Sequence, residues 1–358
     1  MEPVICLAEE VPLSDRPEIW SRRDFVGGLT LAGTAGLLGM RSEHAAAEPP
    51  PETPRLRLYT SATPGPPGCA APRIVVQEFL RSEGFTDVQY VPKVRADADR
   101  ALASGEIDMN IAGFVGNYVV QMDVGGPIIL LAGIHVGCFE LFANDRIRTL
   151  RDLKGKTVGV TELGSGRHVF LASAMAYVGL DSRRDARLVH HSAAESMRLF
   201  AEGKMDAYQA FSEDVYELRD RKIGRVILDS TRDRPWSQYF CCMVGANREF
   251  VHRHPVAVKR ALRAILKATE VCGLEPERAA KILLDSGHLK GEKEHEMMLR
   301  LLKALPYKRW REFSPEDTVR FYALRLHEAG MIRSTPQKVI TQATDWRFLN
   351  ELKKELKA

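Results

Sequence analysis

From residue 55 onward the apolar and polar positions of this chain switch repeatedly between a period of two and a period near 3.6. Residues 55–60 alternate as a half-buried strand does, a Pro/Gly-rich loop occupies 61–68, and 71–81 has helical spacing. Gly84-Phe85-Thr86-Asp87 turns the chain into a second strand at 88–91. A short helix at 96–103 stops at Gly105, and 107–112 reads as a third strand. The same grammar then restarts. Leu150 to Val160 is a short helix, a glycine turn and an apolar strand. Helix at 169–178, strand at 186–190, helix at 193–201, strand at 205–210, helix at 214–221 and strand at 225–228 follow. Strands alternating with helices of about ten residues predict βαβ units and a largely parallel sheet.

A local echo marks the doubling. Ala103-Ser104-Gly105-Glu106-Ile107-Asp108 and Ala201-Glu202-Gly203-Lys204-Met205-Asp206 are each a helix end, a glycine stop and a strand beginning near Asp. Two similar α/β lobes are expected, not a short-period solenoid. Beyond about residue 250 the strand pattern vanishes. Helices are predicted from His254-Pro255 through Cys272, from Glu275-Pro276, and over 293–305, 314–329 and 348–356. Ser314-Pro315-Glu316-Asp317 has a capping Ser, Pro at the first position and acids in the first turn.

The N-terminus belongs to a different kind of segment. Ser21-Arg22-Arg23-Asp24-Phe25-Val26 precedes a mild apolar run, 27–40, and then Ala45-Ala46-Ala47. A twin arginine, a run too short to span a bilayer as a helix, and a small-residue triplet in that order predict a twin-arginine export signal cut near Ala47. The signal, 1–47, carries four basic and seven acidic residues, so its removal takes the formal charge from +4 to +7. That charge is spread along the chain, and no block of like charges forms an arm for nucleic acid. The 311 remaining residues suffice for two ordinary domains. The Pro-rich leader 49–54 is expected to be extended and loosely held. Past residue 47 the five cysteines show no CxxC spacing, and mostly buried free thiols are expected, with one long-range disulfide as the alternative.

Leu102-Ala103-Ser104-Gly105-Glu106-Ile107-Asp108, the phrase from Asp152-Leu153-Lys154-Gly155-Lys156 to Val160, Gly203-Lys204-Met205-Asp206-Ala207 and the helix from His254-Pro255 resemble a known family. It is the periplasmic substrate-binding proteins of nitrate/sulfonate/taurine-type ABC importers, related to thiamine-pyrimidine-precursor binding proteins. The resemblance covers roughly 56–356. It implies an α/β, two-lobed periplasmic-binding-protein-like (type II) fold, with two crossing strands near 138–144 and 239–246 and a helical C-terminal region. The domain boundaries it implies are 48–142 for the first part of lobe 1, 143–242 for lobe 2, and 243–358 for the rest of lobe 1. It further implies a periplasmic, monomeric capture subunit that closes on a small molecule and delivers it to a membrane permease, with no enzymatic activity, cofactor or nucleic-acid partner.

Ligands of open α/β sheets sit beyond the carboxyl ends of the strands, where helix N-termini present free N–H groups. That rule selects Ser61, Gly68 and Cys69 in the first loop, and Gly113, Phe114 and Asn117 after the third strand. It weighs most on Glu162, Gly164, Ser165 and Arg167, where amides, a hydroxyl and a guanidinium suit an anion. Glu162 leaves a zwitterion open. Ser192 can supply a hydroxyl or act only as an N-cap, with Glu195 completing a capping box. Phe211 and Asp214 follow the strand where the family usually places a ligand-facing residue. Trp236 and Tyr239 can form an aromatic wall or belong to the core, and His135 and Cys138 border the first crossing. No metal site is expected, because His190-His191 alternate sides of a strand and no Cys/His set has ligand spacing. Two rivals remain: a pyrimidine-synthase-like enzyme, whose cysteine-rich motif is matched only in part by Phe240-Cys241-Cys242-Met243, and a ligand sensor without a transport role.

Overall fold

The computed structural model describes residues 48–62 and 65–356; the export signal and its cleavage site lie outside them. Ten strands form two five-stranded sheets. They are β1 (Arg55–Ser61), β2 (Asp87–Lys93), β3 (Met109–Phe114), β4 (Ile128–Val136), β5 (Phe139–Ala143), β6 (Thr157–Val160), β7 (Arg187–His190), β8 (Ala207–Phe211), β9 (Arg225–Asp229) and β10 (Phe240–Asn247). The first sheet runs β2-β1-β3-β10-β4 and the second β7-β6-β8-β5-β9.

The expectation of largely parallel sheets needs one correction. In each sheet three strands pair in parallel (β2-β1-β3 and β7-β6-β8), but the fourth position is antiparallel to both neighbours. The reason is the route of the chain. The antiparallel strand of each sheet arrives from the other half: β5 enters the second sheet directly after β4, and β10 enters the first after β9. The crossings fall at Gly137–Cys138 and between Ser230 and Tyr239, just ahead of the two stretches expected to carry them.

The sequence echo has a structural meaning. The Asp108 carboxylate accepts the Arg57 N–H at 2.7 Å, tying the start of β3 to β1. Asp206 accepts the Thr157 N–H at 3.0 Å and ties β8 to β6 in the same way. Asn247, ending β10, and Asn144, just past β5, then donate their backbone N–H to the Asp108 and Asp206 carbonyls, at 2.9 Å in both cases. Asp152 accepts the N–H groups of Arg148 and Thr149, and Gly155 takes φ +73°, which explains the Asp-Leu-Lys-Gly-Lys phrase as a capped turn.

β4 is buried at every position although it closes one edge of its sheet. The helices Pro255–Leu274, Pro336–Ala343 and Arg347–Glu355 pack against it, and Leu130 bridges to Thr344. Its run Ile-Ile-Leu-Leu-Ala-Gly-Ile is therefore apolar on both faces and shows no alternation. The leader is not loose: the Glu52 carboxylate accepts the N–H groups of Val256 and Ala257, both at 2.8 Å, capping the 20-residue helix Pro255–Leu274. No helix among the described residues is long and apolar enough to cross a membrane.

Candidate functional site

The loops after β3 and β6 meet. Residues 113–117 are not a plain loop: Phe114 ends β3 and Val115–Asp123 is a helix. Asn117 Nδ2 donates to the Gly164 carbonyl at 3.0 Å, a hydrogen bond from one half to the other. Asn117 Oδ1 is buried with no protein partner. Phe114 packs edge-on to Phe139 with centroids 5.0 Å apart, and to Phe170 and Tyr322. Phe211, at the end of β8, lies 5.1 Å from Phe139. Gly113 is required here, since a Cβ would stand 2.1 Å from the Tyr118 hydroxyl.

On the second half, Ser165 caps the helix Gly166–Tyr177 by accepting the His168 N–H, and its hydroxyl donates to the Glu162 carbonyl at 2.6 Å. The Gly164 N–H is held by His168 Nδ1 at 2.9 Å, so that nitrogen carries no proton, and burial lowers the His168 pKa. Gly164 takes φ +84°, which this turn demands. The Gly166 and Arg167 amides remain as first-turn donors. Arg167 Nη1 pairs with Asp214 and donates to the Tyr208 hydroxyl at 3.1 Å and the Gln209 carbonyl at 3.3 Å. Among the described residues its Nε and Nη2 make no hydrogen bond, so part of the guanidinium fork is uncommitted. The pair is only 13% and 7% exposed at the side chains, which makes it a desolvated charge pair, not a surface one.

A second grouping lies around the first connection. Cys69, in the turn Gly68–Ala70, His135 on β4, Cys138 in the connection and Cys242 on β10 are all buried. Cys242 Sγ is 3.7 Å from both Cys69 Sγ and Cys138 Sγ, and Cys241 Sγ is 3.9 Å from Cys242 Sγ. Hydrogen bonding from Cys138 pulls the Cys242 thiol down to about 7, while burial pushes Cys138 well up. All five described cysteines are free. Cys242 is not selected from the sequence as a site residue; its signals there are its place in the second crossing and in the Phe240-Cys241-Cys242-Met243 fragment.

The other expected residues lie elsewhere. Ser61 is exposed at the end of β1, and Glu162 is exposed. Ser192 is an N-cap, accepting the Glu195 N–H at 3.3 Å, while the Glu195 carboxylate is turned to Arg198. Trp236 is fully buried against Phe170 and Phe321, and Tyr239 stacks on Phe321 at 4.1 Å. Tyr239 borders an open groove of about 950 Å³ between the second connection and the C-terminal helices. Its charges are of both signs and partly self-paired, as in Arg309–Glu312, and none of the loops after β3 and β6 enters it. Volume alone does not make it the solute site.

Two α/β sheets exchanging one strand each, with a helical C-terminal layer, define the periplasmic-binding-protein fold. NrtA, the periplasmic nitrate-binding protein of Synechocystis PCC 6803, superposes with a TM-score of 0.67 at 16% identity, over 86% of this chain and 90% of its own. SsuA, the periplasmic aliphatic sulphonate binding protein of Escherichia coli, gives 0.59 at 18%, over 78% and 86%. The NMT1/THI5-like family model matches residues 76–279, more than half of the chain, and the chain belongs to that family. A Brucella abortus protein named provisionally as a binding protein is 26% identical over 185 residues, 51% of this chain. The match spans 56% of that relative's length.

Proposed function

We propose that this protein is the periplasmic solute-capture subunit of an ABC importer, closing two lobes on a small anionic or zwitterionic organic solute. The observation that carries the reading is the meeting of one switch-point loop from each sheet. Asn117 bonds Gly164 and Phe114 lies against Gly166, next to a largely buried arginine with uncommitted N–H groups. Family membership, and the names of relatives that bind sulfonate and nitrate, support the same reading. In it, residues 1–47 direct twin-arginine export and are cut near Ala47, and the mature chain works as a monomer and hands its solute to a permease. Lobe 1 comprises 48–142 and 243–358, and lobe 2 comprises 143–242.

The solute would lie among Gly113, Phe114, Asn117, Gly164, Arg167, Phe211 and Asp214. Arg167 would bind an anionic group through Nε and Nη2, with Asp214 and Tyr208 holding the other corner of the fork. Aromatic faces would cover an apolar part, and Asp214 would accept from an amine. Only a solute that touches both lobes favours closure, because only differential affinity shifts the equilibrium.

Thermal unfolding of the purified protein against sulfonates, nitrate, bicarbonate, carboxylates, amino acids and formylated aminopyrimidines tests this. A solute at about 100 times its dissociation constant stabilises by about 2.7 kcal/mol, which a melt registers. One chemical class should give a concentration-dependent shift. No shift with any class, after refolding to strip carried-over ligand, would count against the reading.

A further inference from the structure

Four thiol and imidazole groups from three separate stretches of chain converge in the interior of the first half. The ligand atoms of Cys69, His135, Cys138 and Cys242 all lie within 4.8 Å of one another. None of the four residues is more than 6% exposed. Two sulfurs held tetrahedrally at about 2.3 Å from zinc stand roughly 3.8 Å apart, and the two Sγ–Sγ distances from Cys242 are both 3.7 Å. A disulfide requires about 2.05 Å between sulfurs. His135 Nδ1 is 4.0 Å from Cys138 Sγ.

Two further features bear on the charge of this cluster. His135 faces two carbonyls, Nε2 to Cys69 at 3.2 Å and Nδ1 to Val136 at 3.0 Å. A neutral imidazole has one N–H, so it satisfies only one of them. An imidazolium satisfies both, so coordination would require Nδ1 to give up its proton and its contact with the Val136 carbonyl while Nε2–H keeps the Cys69 carbonyl. The second observation is Arg73. It is 6% exposed, its Nε is buried without a partner, and no carboxylate pairs with it among the described residues. Burial pushes its pKa down, and it stands four residues after Cys69.

We propose that Cys69, Cys138, Cys242 and His135 form a resident site for a thiophilic divalent ion of the zinc type. On binding, each thiol gives its proton to solvent and its sulfur donates a lone pair to the metal; the ion's oxidation state does not change. Three thiolates and a divalent ion leave one negative charge, and Arg73 balances it. The burial makes the ion resident, not cargo. Its ligands come from the turn after β1, from β4, from β10 and from the Gly137–Cys138 connection. The ion would therefore fix the point at which the chain leaves the first sheet. The proposal stands apart from the solute-binding reading and is tested without any solute.

The test is titration of the full-length protein with Co²⁺ and then Zn²⁺ under anaerobic, reducing conditions, after thiol counting has shown the cysteines reduced. The expected result is a single-site, saturable thiolate-to-cobalt charge-transfer band with the intense visible bands of a tetrahedral ion, both bleached by Zn²⁺. Cys242→Ser should weaken zinc binding by more than about 100-fold, beyond the usual range for loss of a second-shell partner. Cys272→Ser, a buried thiol outside the cluster, should bind as the unaltered protein does. Circular dichroism checks that both variants fold, and the unaltered protein decides the matter if they do not. Reduced, folded protein that takes up no cobalt, or gives only an octahedral spectrum, overturns the proposal. Equal affinity in Cys242→Ser does so as well.

Discussion

The two halves of this molecule share a backbone frame and differ in the charge they place on it. In the first, Arg73 lies in the opening turn of the first helix and donates to the Ile111 carbonyl on β3 at 3.3 Å. In the second, Arg167 lies in the opening turn of the equivalent helix and donates to the Gln209 carbonyl on β8. Ile111 and Gln209 are each three residues past the echoed Asp108 and Asp206, so the two arginines hold matching positions. Arg167 has a carboxylate partner in Asp214; Arg73 has instead the ring of Tyr59, 4.3 Å from its guanidinium carbon, and the neighbouring thiols. At these matching positions a repeated fold thus carries one arginine paired with a carboxylate and one without. Topology sets where chemistry stands, and the side chains around that point set what it is.

Removing one partner of the paired side tests that difference most strongly. Asp214→Ala leaves Arg167 buried without its counter-charge and should cost about 3–5 kcal/mol in denaturant unfolding. Arg73→Met removes a buried charge that has no carboxylate to strand, and should cost about 1 kcal/mol, the worth of its hydrogen bond. Equal losses would mean that the two arginines are electrostatically alike. Arg167→Ala should weaken an anionic solute by about 1.5–3 kcal/mol, and the double variant Arg167→Ala/Asp214→Ala, which strands neither charge, should show the same loss.

The shared frame makes the opposite prediction. Asp108→Ala and Asp206→Ala each leave a backbone N–H of the neighbouring strand without its acceptor, so each should cost about 1–3 kcal/mol. The two losses should agree closely if the echo is a structural device. Asn117→Ala removes the hydrogen bond to Gly164 and should cost about 1 kcal/mol, with faster hydrogen exchange in the 162–166 loop. Disturbance spreading into β6 would show that the loop is held by more than this contact.

The smallest effect is a pH dependence confined to the second half. The folded-state pKa of His168 is lowered by burial, and its Nδ1 accepts the Gly164 N–H. The unfolded chain therefore takes up the proton first, at about 6.5. The stability this group confers is whole above that pH and is lost as pH falls toward the lower folded value. Melts of His168→Gln between pH 8 and 5 should fall less steeply than those of the unaltered protein, and parallel curves would remove His168 as the cause.

Much of this organisation was legible along the chain because it is local. The sequence pattern places the helix 193–201 to the residue and the strands β1, β7 and β9 within one, since turn glycines and caps bound them. β4 was not seen, because a strand covered on both faces and along its edge has no period to read. The helix Val115–Asp123 was hidden for a related reason: its cap is Phe114, which offers no side-chain bond, and Gly116 within it reads as a turn. Arg167 and Asp214 were each expected at a site, but their pairing joins residues 47 apart and needs the sheet to bring them together. The thiol cluster was invisible for the same reason, since Cys69 and Cys242 are separated by 173 positions and meet only because β10 returns to the first sheet.

The central claim is that a solute held between the switch-point loops draws the two halves together. Small-angle X-ray scattering with and without a saturating concentration of the solute that raises the melting temperature tests it directly. The account predicts a fall in the radius of gyration on binding, with the fall lost in Asn117→Ala/Arg167→Ala/Asp214→Ala. A radius unchanged at saturation, or a fall that survives in that variant, would contradict closure at this site.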